Sequence, residues 1–119
     1  MKSKSIVQER LDATKNRLEI ISREVEAQRM TTKDVARGLR HVGTSLEGIQ
    51  RFVTTDKDMK FQDSISKKLE TGMSRLMNVI HALEGAGVTN DNLNGNLTQS
   101  IRIIESVQEL VDLEIETLS

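Results

Sequence analysis

Four heptad-spaced runs of aliphatic residues, the absence of proline and a nearly aromatic-free composition predict an all-α protein. The expected architecture is an antiparallel four-helix bundle, or two long helical hairpins with heptad packing that complete their cores by oligomerising. Proline stops or kinks helices, and the 119 residues contain none. Aromatic residues make up 2% of the chain, Phe52 and Phe61 alone, so the core has to be built from Leu, Ile, Val and Met. The length suits one domain, 1–119.

The first segment, about 3–29, carries Val7, Leu11, Leu18, Ile21 and Val25 at steps of four and three, with Thr14 and Gln28 filling the seam. Ser5 and Gln8 have the spacing of a capping box, in which side chain and backbone donors satisfy each other. The second, about 32–54, carries Val35, Leu39, Val42, Leu46, Ile49 and Val53, and opens on Thr31 and Asp34. The third, about 56–84, opens on Thr55 and Asp58. It carries Ile65, Leu69, Gly72, Leu76, Val79 and Leu83, flanked by Met73, Met77 and Ile80. Its expected end is Gly85–Gly87, where glycine takes a left-handed cap at little cost.

The fourth runs from about 91 or 96 to 118, with a seam of Leu97, Ile101, Ile104, Val111, Ile115 and Leu118. Thr89 with Asp91, or Asn96 with Gln99, would cap it. The Asn-rich stretch 90–96 reads as poor helix sequence. The short loops make successive helices antiparallel.

A helix that packs on one core shows an apolar stripe of about 100°. The fourth segment is wider, because Ile103, Val107, Leu110 and Leu113 extend its apolar face to roughly 240°. Glu114 also falls inside that arc. The first segment has a second stripe of Ile6, Ala13, Ile20 and Ala27. Part of this width is expected to face another copy or another helical protein, through Ile103, Val107, Leu110 and Leu113, with Ile6 and Ile20 next. On that expectation Leu110→Glu or Val107→Glu breaks an assembly without unfolding the chain.

The net charge is −1, but it is unevenly divided. Residues 1–60 hold 13 Lys and Arg against 9 Asp and Glu; residues 61–119 hold 4 against 9. Lys33, Arg37, Arg40 and Arg51 share an outer face of the second helix, with Glu47 among them. Glu105, Glu109, Asp112 and Glu116 share one on the fourth. Each stripe is a solvated face, one half of a charge-matched interface, or, for the basic one, a phosphate-contacting surface. No aromatic accompanies those arginines, so base stacking is not expected.

Little chemistry is visible. There is no cysteine, hence no disulfide or thiolate, which fits a reducing compartment. No apolar run reaches signal-peptide or membrane-span length, and the expected location is the cytoplasm, or host cytoplasm for a viral protein. Asn78 and Gly38 stand three residues before His81 and His41, so the inward Glu-x-x-His of di-iron bundles is missing. Gly43 and Gly48 have a phosphate-loop gap, but Ile49 follows in place of lysine. No metal, cofactor or small-molecule substrate is expected. His41 reads as a histidine beside the second seam.

The hexapeptide His81-Ala82-Leu83-Glu84-Gly85-Ala86 resembles the signature of histidine phosphotransfer domains. The resemblance implies a surface phosphoacceptor at His81 on a helical bundle. Glu84 stands where that family has a lysine, and its charge would repel a phosphoryl group. The bland role of His81 is a cation in the last turn of a helix, complementing the dipole. The glycines 38, 43 and 48 each cost about 1 kcal/mol inside a helix and point in three directions. The functional expectation is a non-enzymatic assembly, adaptor or regulatory protein working through helix–helix contacts. Nucleic-acid binding by the second helix and phosphotransfer by His81 are the alternatives.

Overall fold

The heptads fold into α1 (Lys2–Glu26), α2 (Thr32–Thr55), α3 (Gln62–Glu84) and α4 (Asn90–Leu118). The computed structural model describes residues 2–85 and 90–118, with side chains from 5–85 and 92–116. Among the described residues there is no strand.

On α1 the expected seam is buried from Val7 to Val25, Thr14 included. The Thr14 hydroxyl donates to the Arg10 carbonyl (2.7 Å), which removes the cost of burying it. Two expectations for this helix fail. Because α1 begins at Lys2, Ser5 lies inside it, and Gln8 reaches across to α4 instead of capping. Gln28 is past the helix end and exposed, at a left-handed φ of 56°.

There Gln28 N–H donates to the Val25 carbonyl (3.0 Å) and Arg29 N–H to that of Glu24 (2.9 Å). That pair of bonds is a Schellman stop, at a position where glycine is usual. The Arg29 guanidinium clasps the Glu24 carboxylate over the same turn (2.8 Å). This hydrogen bond holds Glu24 below the usual carboxylate range.

Thr31 caps α2 as its spacing predicts, accepting from Asp34 N–H at 3.1 Å. All six expected seam residues of α2 are buried, and Ala36 with them.

The start of α3 differs from expectation by six residues. Residues 56–61 leave the helical path because Met59 turns into the core. Asp56 Oδ1 accepts from Asp58 N–H (3.0 Å), an Asx turn that competes with helix. Gln62 then donates through Nε2 to the carbonyls of Val53 (2.6 Å) and Asp56 (3.1 Å), so the first residue of α3 caps the end of α2.

The N–H of Phe61, the N-cap of α3, donates to the Glu114 carboxylate of α4. Glu114 is fully buried, and its acceptor oxygen lies at the positive end of the α3 dipole. At the other end, Gly85 N–H donates to the His81 carbonyl (3.0 Å) with φ of −100°, so Gly85 is not the left-handed cap expected of it. Ala86, Gly87 and Thr89 lie outside the described residues.

The helix α4 includes the Asn-rich stretch. Leu93 is buried, Asn96 Nδ2 donates to the Asn92 carbonyl (2.9 Å), and Asn96 is therefore inside the helix and not its cap. The buried seam runs Leu93, Leu97, Ser100, Ile104, Val107, Val111 and Glu114, in unbroken steps of four and three. Ile101 and Ile115, expected in the seam, are half-buried flanks; the Leu118 side chain is outside the description.

Each helix packs on its neighbours in sequence, and α4 packs on α1, which closes a ring. The pairs α1 with α3 and α2 with α4 lie across diagonals. Cross-helix bonds run in opposite numerical order, Gln8 to Asp112 and Ser22 to Asn94 on one side, Gln50 to Ser66 and Arg40 to Glu84 on another. The helices are thus antiparallel, in a bundle 46 × 22 × 18 Å.

The glycines separate by environment. A Cβ on Gly38 would stand 2.9 Å from Ile21 Cδ1, so this glycine lets α1 approach α2. A Cβ on Gly72 would meet Ile103 Cγ2 at 3.4 Å, at the α3–α4 contact. At Gly43 nothing lies within 4 Å. Gly43→Ala is therefore expected to stabilise the protein by about 1 kcal/mol in urea unfolding. Glu114→Leu takes the acceptor from the Phe61 N–H and is expected to cost about 1–3 kcal/mol, whereas Glu114→Gln, which keeps a carbonyl oxygen, retains most of that stability.

Candidate functional site

No helix of the described residues is long and apolar enough to cross a membrane. The six apolar residues expected at an interface do not form one patch. Val107 is fully buried on the bundle axis and belongs to the intramolecular core. Ser100 and Glu114 interrupt the aliphatic pattern of the seam it belongs to, which hides that seam in the sequence. Ile103 is half-buried against Gly72 of α3, and Leu110 is half-buried against the core. Ile6 is half-buried on α1.

Two of the six remain open: Ile20 is 52% exposed on α1 and Leu113 46% exposed on α4. Met77 on α3, expected to flank its seam, is 49% exposed. Three single side chains on three helices are ordinary for a folded surface.

The charged stripes keep their expected places. Lys33, Arg37, Arg40 and Arg51 are all exposed on the outer face of α2. Arg40 pairs with Glu84 of α3. Lys33, Arg37 and Arg40 rim a hollow of about 550 Å³ floored by Ala36 and Leu83. On α4, Glu105, Glu109, Asp112 and Glu116 are exposed, and Asp112 accepts from Gln8 Nε2 (2.6 Å). Because α2 and α4 lie across a diagonal, the basic and acidic stripes look away from each other.

His41 is exposed, and does not sit at the edge of the core as expected. His81 is exposed in the last turn of α3, with the helix closing directly behind it. Among the described residues no cluster of three His, Asp or Glu could hold a metal ion.

One surface was missed by sequence reasoning. Between α3 and α4 run two adjoining hollows of about 630 and 390 Å³, which share Lys67 and Thr71. Their linings include Lys67, Lys68, Arg75 and Arg102, which are all four Lys and Arg of residues 61–119. The signal was present in the sequence: four cations in an acidic half, carried on two helices that pack side by side.

No family model matches the chain, and no curated protein or solved structure is significantly similar to it.

Exposure separates core from surface on α4. Val107→Glu is expected to abolish cooperative unfolding in circular dichroism. Leu113→Glu should leave helicity unchanged and shift stability by no more than about 0.5 kcal/mol.

Proposed function

We propose that this chain is a non-enzymatic assembly protein whose copies join through helix faces, the basic outer face of α2 on one copy meeting the acidic outer face of α4 on the next. The observation that carries the reading is the opposition of charge across the bundle, with Lys33, Arg37 and Arg40 on one side and Glu105, Glu109, Asp112 and Glu116 on the other. Both stripes step by four and three, so their charges recur at the same interval along parallel or antiparallel axes. Leu113 lies beside the acidic stripe and supplies apolar contact area there.

Such an interface joins unlike patches. It is heterologous, and it produces a ring where the rotation closes and an open chain where it does not. Opposed charges set orientation and partner choice and weaken with salt. An axis filled with aliphatic side chains and two separated surface histidines favour this contact role over catalysis.

The test is light scattering on a size-exclusion column at low and high salt, over a wide range of protein concentration. The expected result is a mass above 13.4 kDa at low salt that falls as salt rises. A mass fixed at 13.4 kDa at low salt refutes the reading. Lys33→Ala/Arg37→Ala and Glu105→Ala/Glu109→Ala should each be monomeric alone. Mixed, they should form a one-to-one dimer that grows no further, since one intact interface remains.

A further inference from the structure

We propose that the groove between α3 and α4 binds a chain of phosphates. The inference does not rest on self-association. Residues 61–119 contain nine carboxylates and only four cations, yet all four cations line this groove and, among the described acids, only Glu70 does. Glu70 is turned toward α2, where its Oε1 accepts from Gln50 Nε2 (3.3 Å). None of Lys67, Lys68, Arg75 and Arg102 makes an ion pair with a described carboxylate. Elsewhere two arginines are paired, Arg29 with Glu24 and Arg40 with Glu84.

A second observation points the same way. The Nε of Arg75 is out of contact with solvent and meets no acceptor among the described residues. Buried donors are nearly always satisfied, and this one has no protein acceptor among the described residues. Thr71 and Ser74 add hydroxyls to the lining between the cations.

The shape and the chemistry define the ligand class. Lys67 and Arg75 are eight residues apart on one helix, about 12 Å of groove. One phosphate would leave most of that length empty, and a carboxylate ligand would use few of the donors. An extended chain of phosphates matches both the length and the fork of an arginine beside the point charges of lysines. Neither phenylalanine lines the groove, so bases would not be stacked and recognition would be of the backbone. Two sources share this chemistry: the phosphodiester backbone of a single-stranded nucleic acid, and a linear polyphosphate.

The experiment is an amide NMR titration of the full chain with linear inorganic polyphosphate, and in a second arm with an oligo-dT strand. Binding should move the resonances of Lys67, Thr71, Ser74, Arg75 and Arg102. Four neutralised phosphates predict a loss of affinity of about 50-fold between roughly 50 and 200 mM salt. Lys67→Ala/Lys68→Ala/Arg102→Ala should weaken binding roughly tenfold or more, and Lys33→Ala/Arg37→Ala on α2 should leave it within about twofold. Shifts in both arms assign the site to the phosphodiester backbone; shifts with polyphosphate alone assign it to the anhydride chain. Silence in the groove in both arms, shifts confined to α2, or wild-type affinity in the triple variant overturns the proposal. Scattering on the same samples reports assembly separately, so failure of one reading does not imply failure of the other.

Discussion

Four aliphatic seams have to leave water together, and the rest of the structure follows from that requirement. With only Phe52 and Phe61 as aromatics, no single side chain dominates the core. It is a column of Leu, Ile and Val, among which Leu11, Leu39, Leu76 and Leu97 are essentially inaccessible. Truncating any one of these to alanine would cost about 2–5 kcal/mol, a large share of the stability of a domain this size. Charged helices of this kind are marginal in isolation, so the shared axis is what makes them helices at all. The axis also decides the surface. A residue one step off a seam touches the neighbouring helix, and a residue further round meets water.

The first two seams could be read directly because they are almost purely aliphatic. The fourth was misread for a physical reason. Two of its seven buried positions are polar, Ser100 and Glu114, while its flanks carry Ile101, Ile103, Leu110 and Ile115. When a helix has apolar contact on both sides, hydrophobicity does not distinguish axis from flank. The regular step of four and three from Leu93 to Glu114 does, once a hydroxyl bonded within its own helix and a carboxylate with a structural partner are allowed in the seam. The apparent excess width of α4 is largely its contact with α1 and α3. Leu113 is the part that remains open.

Element ends were legible where the signal was local and lost where it was not. Thr31 with Asp34 is a cap in sequence and in space. Thr55 with Asp58 has the same spacing, but the chain there obeys Gln62, Glu114 and the burial of Met59 instead. Glu114 takes the part that the acidic residue of a capping box takes from within its own helix. It does so from more than fifty residues away, beyond the reach of any local rule. The glycines carry the same lesson. Gly38 and Gly43 look alike in the sequence, and only the position of Ile21 shows that an added Cβ meets a neighbour at one and open space at the other.

Charge is the feature whose total misleads most. A net of −1 describes no surface of this bundle. The unpaired state of a lysine is by itself unremarked, since water solvates it well and exposed ion pairs contribute little. Segregation is different. In a stretch with more than twice as many carboxylates as cations, placement without constraint would set some cations beside acids, as Arg40 is set beside Glu84. Instead the four converge on one groove and make no such pair. Concentrating like charges raises the local potential at some cost in repulsion. That cost serves no purpose in holding the fold, whose stability resides in the seams, and the groove is where a bound anion would relieve it.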